Sequence, residues 1–98
     1  MDLIESAIQN DFITAADLLS IDADPNEADD IFNVTPLHYC ALNDSLEVAI
    51  LLIHYGAKID ALTLDGLTPL DVAINVGSKK IANYLTEVLN EFSNRTVN

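Results

Sequence analysis

The sequence predicts an all-α solenoid of three stacked helix-turn-helix units joined by β-hairpin-like loops, and two observations support this prediction. The string Thr35-Pro36-Leu37 recurs as Thr68-Pro69-Leu70, which gives a repeat spacing of 33 residues and is typical of stacked repeat proteins. Each repeat also contains two short apolar segments separated by turn-forming residues, as expected for a pair of helices. With 98 residues, 50% of them hydrophobic, the chain has room for one domain with one core.

The repeat extends on both sides of this string. With the same spacing, His38-Tyr39-Cys40-Ala41 aligns with Asp71-Val72-Ala73-Ile74, and a spacing of 34 aligns Leu3 with Leu37. The extra residue falls within residues 29–32, in a predicted turn where an insertion costs little. The first part of the chain therefore belongs to the same series of units.

Residues 1–92 are expected to form a single repeat domain, with units at about 1–33, 34–66 and 67–92. The first unit lacks the Thr-Pro-Leu start and the third has no hairpin after it, so we interpret both as capping units of the array. The polar residues 93–98 are expected to form a flexible tail.

Two helices are predicted in each unit from the spacing of the apolar residues. The first helices are expected at Leu3–Gln9, Pro36–Leu42 and Pro69–Asn75. The second helices are expected at Phe12–Ser20, Leu46–Tyr55 and Lys79–Glu91.

The predicted helix starts and turns carry residues suited to these positions. Thr35 and Thr68 can accept a free backbone N–H of the first turn, and Asp2 can do the same for the first helix. Proline follows each of these threonines, at the position where its missing N–H costs nothing. Residues that tolerate a positive φ fill the predicted turns, namely Asn10, Asn33, Asp44, Gly56, Gly66 and Gly77.

The charge of the chain restricts its partners. Sixteen acidic and four basic residues give a net charge of −12, and residues 1–57 contain eleven acids and no lysine or arginine. Such a field repels phosphate backbones and anionic lipids, so neither direct nucleic-acid binding nor membrane binding is expected. We expect instead another protein with a basic patch, bound by a monomer rather than by a homodimer. The single cysteine and the absence of a signal-peptide pattern favour a cytoplasmic location.

The sequence contains no pattern typical of a metal, cofactor or catalytic site. One cysteine and two histidines do not form a zinc motif, and the acidic segment of residues 22–30 lacks the spacing of a calcium-binding EF-hand. No phosphate-binding glycine loop or nucleophile elbow occurs either. We therefore expect a protein that is not an enzyme, with no catalytic residue, no metal and no cofactor.

The repeated strings resemble the ankyrin repeat family over about residues 2–90. The matching strings are Thr35-Pro36-Leu37-His38, Leu51-Leu52-Ile53-His54-Tyr55-Gly56-Ala57 and Asp65-Gly66-Leu67-Thr68-Pro69-Leu70. The resemblance implies an ankyrin-repeat solenoid in which His38 is structural, because the ring nitrogens of the motif histidine bind hydroxyl and backbone groups that brace neighbouring loops. Cys40 occupies a small-residue core position of the motif, so we expect a buried and inert thiol.

Ankyrin repeat proteins usually bind other proteins through the hairpin tips and the exposed side of the first helices, so the resemblance implies a binding strip there. Apolar side chains cluster at these positions, and clustered exposed apolar side chains usually mark an interface. The predicted binding residues are Ile31, Phe32, Val34, Leu42, Asn43, Leu62, Leu64, Asp65, Leu67 and Val76. Glu5, Asp29 and Asp30 are predicted to form an acidic rim. Alternatively, some of the apolar side chains fold under the hairpins and join the core.

Three functions remain open from the sequence. The favoured one is a non-catalytic protein–protein interaction module that docks this strip on a basic surface, as an inhibitor or immunity-type protein would. A structural adaptor or self-associating repeat protein would instead cover the strip with another copy. An acidic nucleic-acid mimic would place its carboxylates where a nucleic acid has phosphates.

Overall fold

The computed structural model describes the backbone of residues 2–96 and the side chains of residues 2–91. Over these residues the chain forms six helices and no strand, in agreement with the all-α solenoid that the sequence predicts. The helices are α1 (Leu3–Gln9), α2 (Phe12–Ser20), α3 (Pro36–Asn43), α4 (Leu46–His54), α5 (Pro69–Val76) and α6 (Lys79–Thr96).

The predicted helix bounds agree with the structure at every start, and four ends differ. Helices α3 and α5 are one residue longer than predicted, and α4 ends at His54 because Tyr55 is its C-cap. Helix α6 passes its predicted end at Glu91 and continues to Thr96. Residues 92–96 contain neither glycine nor proline, so nothing in the local sequence stops the helix.

The expected flexible tail at 93–98 therefore begins inside a helix. Residues 93–96 form the last turn of α6, and residues 97–98 lie outside the described residues. The sequence prediction relied on polar composition, which does not exclude a helix that continues from a well-packed preceding segment.

The first helices of the second and third units start with the predicted caps. The Thr68 hydroxyl accepts a hydrogen bond from the Asp71 N–H at 3.1 Å, and the Asp71 carboxylate accepts one from the Thr68 N–H at 3.0 Å. Thr35 and His38 form the same reciprocal capping box at α3. Asp2 caps α1 by accepting the Glu5 N–H at 2.9 Å. The starts of α1, α3 and α5 thus satisfy donors that would otherwise remain unpaired.

The turns between the paired helices also link neighbouring units. Asn10 and Asp44 adopt left-handed backbone conformations at φ 52° and 53°. The Asn10 side chain accepts the Val48 N–H at 3.3 Å, and the Asp44 carboxylate accepts the Ile81 N–H at 3.0 Å. A glycine would satisfy the backbone at these turns but would lose the bond to the next unit. Side-chain chemistry at the turns therefore fixes the register of the stack.

Equivalent helices of successive units pack side by side. Helix α1 contacts α3 and α3 contacts α5, while α2 contacts α4 and α4 contacts α6. One apolar core runs through the layer between the two rows of helices, and its largest fully buried apolar side chains are those of Leu37, Val48, Leu52, Ile81 and Leu85. Because each unit buries its apolar side against its neighbours, the three units share one core.

Candidate functional site

Two loops connect the three units and project beside the first helix of each unit, α1, α3 and α5. We call residues 29–34 hairpin 1 and residues 63–67 hairpin 2. In hairpin 2 the Thr63 N–H donates to the Leu67 carbonyl at 3.0 Å, and the Gly66 N–H donates to the Thr63 carbonyl at 2.9 Å. Gly66 has a φ of 81°, as a three-residue hairpin loop requires at this position. Leu64 and Asp65 consequently form the tip of hairpin 2.

Hairpin 1 is held by the carboxylate of Asp29. One oxygen accepts the N–H groups of Ile31 and Phe32 at 3.1 and 2.9 Å, and the other accepts the Tyr39 hydroxyl at 2.9 Å. These bonds, that of Phe32 above all, lower the pKa of the Asp29 carboxyl. Asp29, which was predicted to belong to the acidic rim, therefore also has a structural role, because both of its oxygens bind within this part of the fold.

The two hairpins are bonded to each other. The Leu64 N–H donates to the Phe32 carbonyl at 2.8 Å, and the Asn33 side-chain amide donates to the Leu62 carbonyl at 3.0 Å. Asn33 can take part because its backbone adopts the left-handed conformation, with a φ of 56°. The apolar tips of hairpins 1 and 2 are consequently held next to one another rather than at independent positions.

His38 connects helix α3 to hairpin 2. The side chain is fully buried, its Nε2 lies 2.8 Å from the Leu67 carbonyl, and its Nδ1 accepts the Thr35 N–H at 3.1 Å. A neutral ring with its proton on Nε2 satisfies both contacts. Burial lowers the pKa of His38, while the hydrogen bond to Leu67 opposes this effect. The ring has the bracing contacts implied by the family resemblance.

A shallow groove of about 280 Å³ lies between α3, hairpin 2 and the base of hairpin 1. Five of the predicted binding residues line this groove: Phe32, Val34, Leu42, Asp65 and Leu67. Three further residues complete the lining, namely His38, Thr63 and Val72. An apolar groove with one carboxylate at its edge can hold an apolar side chain that is followed by a basic group.

The remaining predicted binding residues surround this groove to different extents. Ile31 and Leu64 are 74% and 72% exposed, and Leu62 and Val76 are about half exposed. Val34 and Leu67 are only partly exposed, and Leu67 packs against the core. For Leu67, therefore, the alternative that a hairpin side chain folds inward describes the structure better. Asn43 is exposed, and its side-chain amide donates to the Tyr39 carbonyl.

Glu5 and Asp30, the other predicted rim residues, are both exposed. Their carboxylates are available to solvent, in contrast to the Asp29 carboxylate, which accepts hydrogen bonds from hairpin 1 and from Tyr39 of α3. Exposed carboxylates of this kind act through the field they create rather than through a fixed contact.

Two groove residues, Thr63 and Val72, were not predicted as binding residues. Val72 is almost fully buried and contributes to the floor of the groove. Its place at the groove follows from the packing of α5 against α3, which no local pattern shows. Nothing in the sequence marks Thr63 as a groove residue, because the apolar character of its neighbours Leu62 and Leu64 is absent at Thr63 itself.

Cys40 and the acidic residues do not form a second site within the described part of the chain. Burial raises the pKa of the Cys40 thiol to about 12, so the group is protonated and inert at neutral pH. Among the described residues, no three histidine, cysteine or carboxylate side chains gather in a way that could hold a metal ion. The same residues include no helix that has both the length and the apolar character to cross a membrane.

Comparison with known proteins identifies the repeat. A family model described as ankyrin repeats in three copies matches residues 3–96. An ankyrin repeat protein of Fowlpox virus (strain NVSL) is 35% identical over 75 residues, which cover 76% of this chain and 11% of that protein. An ankyrin repeat protein of Rickettsia bellii is 35% identical over 63 residues, which cover 64% of this chain and 38% of that protein.

A third relative carries a functional name. The protein named cyclin-dependent kinase inhibitor 2A in Monodelphis domestica is 34% identical over 77 residues, which cover 79% of this chain and 45% of that protein. The chain spans less than half the length of each of these three relatives.

Proposed function

The chain belongs to the ankyrin repeat family, and we propose that it docks its groove and hairpin tips on another protein that carries a basic patch. Ankyrin repeats form a non-catalytic fold for protein–protein interaction, and we propose that this chain likewise performs no chemistry. It would act by occupying a surface of its partner. The cytoplasmic location predicted from the sequence forms part of the same proposal.

The groove between α3 and the two hairpins is the observation that carries this proposal. Phe32 is 56% exposed, Leu42 47% and Leu64 72%, although the fold requires none of them to be apolar at these positions. The hydrogen bond from Leu64 to Phe32 holds the two tips together before any partner binds. Little conformational entropy would therefore be lost on binding, which favours affinity.

The charge of the chain selects for a basic partner. Asp65 lies at the edge of the groove, Asp30 is exposed in hairpin 1, and the net charge is −12. We propose that apolar contacts in the groove supply most of the affinity, while the acidic field accelerates association and disfavours acidic competitors.

The favoured form of this interaction is inhibition of the partner. A single small domain that covers one surface can block a target stoichiometrically, as an inhibitor or immunity-type protein does. The similarity to a protein named as a kinase inhibitor supports this form over a purely structural adaptor. That protein is longer than the present chain, so its own target is not transferred here.

A capture experiment with matched variants tests the proposal. The tagged chain is incubated with a lysate of its source at moderate salt, and retained proteins are identified by mass spectrometry. Leu64→Asp should lose the partner, whereas Ile13→Asp should keep it, because Ile13 is 74% exposed but lies on α2, which does not line the groove. A partner retained equally by both variants would contradict the assignment of the groove.

Two alternative functions give different results with the same material. A nucleic-acid mimic should release its partner as salt rises and should tolerate Leu64→Ala, because carboxylates would carry the binding. A self-associating adaptor should form a dimer that Leu62→Asp and Leu64→Asp both dissociate, since a second copy would then cover the tips.

A further inference from the structure

Equivalent positions in the three units reveal which surface lies at the C-terminal end of the stack. Ala7 and Ala41 are 0% exposed because the next unit packs against them, but their equivalent in the third unit, Ile74, is 63% exposed. Leu3 and Leu37 are buried in the same way, and their equivalent Leu70 is partly exposed. Exposure that appears only in the third unit therefore marks an apolar face that no other described unit covers, here called the end face.

A second groove of about 430 Å³ lies between Leu89 of α6 and the loop of residues 56–60 of the second unit. Between the first two units, the equivalent space is closed by Asn26, whose side chain bonds the Gly56 carbonyl at 3.1 Å and the Lys58 N–H at 2.8 Å. The third unit has no loop at the position equivalent to residues 56–60, because α6 continues as a helix to Thr96. We define the C-terminal end face as Leu70, Ile74 and Ala82, and we call the groove between Leu89 and residues 56–60 the edge groove.

The opposite end of the stack has a different character. Glu5, Thr14 and Asp17 occupy the positions at which the second unit has Tyr39, Val48 and Leu51. Polar residues at an outer face keep a repeat array solvated. At these three positions the first unit is polar, although Ile13 and Ile21 elsewhere in this unit are 74% and 75% exposed. At the third unit the exposed and partly exposed positions are those of Ile74 and Leu70.

Charge favours approach of a second copy at this end only. Residues 1–57 carry a net charge of −11, while residues 58–98 contain five acids and four bases and carry −1. Two copies that meet at their third units would keep their acidic halves at the far ends of the assembly, where repulsion is weakest. Lys58 and Asp60 line the edge groove, and both are exposed.

We propose that the C-terminal end face binds a second copy of this chain in a two-fold, end-to-end dimer. In a two-fold interface every contact is repeated with the two copies exchanged, and in the proposed arrangement Lys58 of each copy would face Asp60 of the other. This assembly differs from the monomer that the sequence favours, because the sequence alone does not show that Ile74 is exposed.

Another ankyrin unit fits this face less well than a second copy. Stacked units pack closely because the position of Ile74 holds alanine in both buried cases, Ala7 and Ala41. An isoleucine there prevents the same close approach. A second copy brings its own Ile74 and edge groove, and the two-fold arrangement needs no repeat spacing.

The dimer would leave the groove between α3 and the hairpins open in each copy. Phe32, Leu42 and Leu64 lie outside the end face, so each copy keeps the surface of the proposed function. Two linked grooves would bind two partner sites at once and gain affinity from avidity. The inference does not depend on the proposed function, since dimerisation needs no partner.

Sedimentation equilibrium from 1 to about 200 µM tests the proposal, since a small interface of this kind is expected in the micromolar range. The wild-type chain should dimerise. Ile74→Ala, which places in the third unit the residue that the other two units carry, should raise the dimer dissociation constant about tenfold or more. Ile74→Asp should remove the dimer altogether. Circular dichroism checks that both variants remain helical.

The matched control is Leu64→Asp. Leu64 is 72% exposed against 63% for Ile74, but it lies at the tip of hairpin 2. The dimer should persist in this variant. A wild-type monomer over the whole range would overturn the proposal, as would a dimer that Leu64→Asp dissociates and Ile74→Asp does not. The latter result would place self-association at the hairpin tips.

Charge reversal tests the two-fold arrangement itself. K58E and D60K should each weaken the homodimer severalfold, because each substitution brings like charges together across the interface. An equimolar mixture of the K58E and D60K chains should recover wild-type association, since every charge again faces its opposite. Failure of the mixture to associate better than either variant alone would contradict the two-fold pairing.

Discussion

The two sides of helix α3 show how this small array separates stability from binding. On one side Leu37, Cys40 and Ala41 are fully buried and hold the units together. On the other side, within the same helix, Leu42 is 47% exposed and lines the groove. The repeat motif therefore specifies only the buried side, and the exposed side can vary with the partner.

Substitution of two matched leucines on the two sides of α3 should give the largest difference in the free energy of unfolding. Equal losses would contradict the comparison between these sides. Leu37→Ala removes a fully buried side chain and should lower the free energy of unfolding by about 2–5 kcal/mol. Leu42→Ala, the same change on the same helix, should lower it by about 1 kcal/mol or less. Urea denaturation of both variants measures the difference. Similar losses would mean that the exposed side of α3 also stabilises the fold.

The cap of α3 should contribute a smaller amount to stability. Thr35→Ala removes the hydroxyl that accepts the His38 N–H, so the free energy of unfolding should fall by about 1 kcal/mol or more. Thr86→Ala is the control, because its exposed hydroxyl only bonds the Ala82 carbonyl within α6, and its effect should stay within about 0.5 kcal/mol.

The same variant also tests whether the three units form one cooperative core. Hydrogen exchange of Thr35→Ala should show faster exchange in all three units, because each unit depends on its neighbours for burial. Unchanged protection in α5 and α6 would show that the flanking units are stable by themselves.

Local chemistry explains which parts of the fold could be predicted from the sequence. The helix starts followed from threonine, proline and aspartate at capping positions, and the turns followed from residues that accept a positive φ. The end of α6 could not be predicted in this way, because the residues beyond Glu91 neither require nor forbid a helix. The burial of Leu67 likewise depends on how hairpin 2 packs against α3, which is a tertiary property.

The candidate site was predictable only in outline. Apolar residues at the hairpin tips indicated a strip, but the sequence could not show that both oxygens of Asp29 accept hydrogen bonds, one within hairpin 1 and the other from Tyr39 of α3. It did contain the signal for the end face, because the alignment pairs Ile74 with Ala41. That signal acquires a meaning only when Ala41 is known to be buried and Ile74 exposed.

Acid should lower the free energy of unfolding through protonation of the buried His38. Burial holds the pKa of this ring below its usual value of 6.5, so the unfolded chain takes up a proton before the folded chain does. The stability that depends on the neutral ring is therefore present above pH 6.5 and is lost as the pH falls below it. Aspartate and glutamate side chains of ordinary pKa, about 3.9 and about 4.3, titrate below this window.

Urea denaturation between pH 7.5 and 5 measures this loss. His54→Gln should keep the wild-type pH dependence, since His54 is exposed. His38→Gln should be less stable at pH 7.5 but should lose less stability on acidification, because the titrating ring is absent. Equal slopes in the wild type and in His38→Gln would show that His38 does not control the acid sensitivity.

The smallest effect on stability should come from a substitution at the tip of hairpin 2. It tests most directly whether binding and stability depend on different residues. Leu64 is 72% exposed and contributes to the fold through its backbone N–H rather than its side chain. Leu64→Ala keeps that hydrogen bond, so the free energy of unfolding should change by less than about 0.5 kcal/mol. Partner binding should nevertheless weaken about tenfold or more, as expected for an apolar anchor at an interface. Normal partner binding by Leu64→Ala would show that this exposed leucine has no role in recognition. A large loss in the free energy of unfolding would show instead that the hairpin tips stabilise the stack.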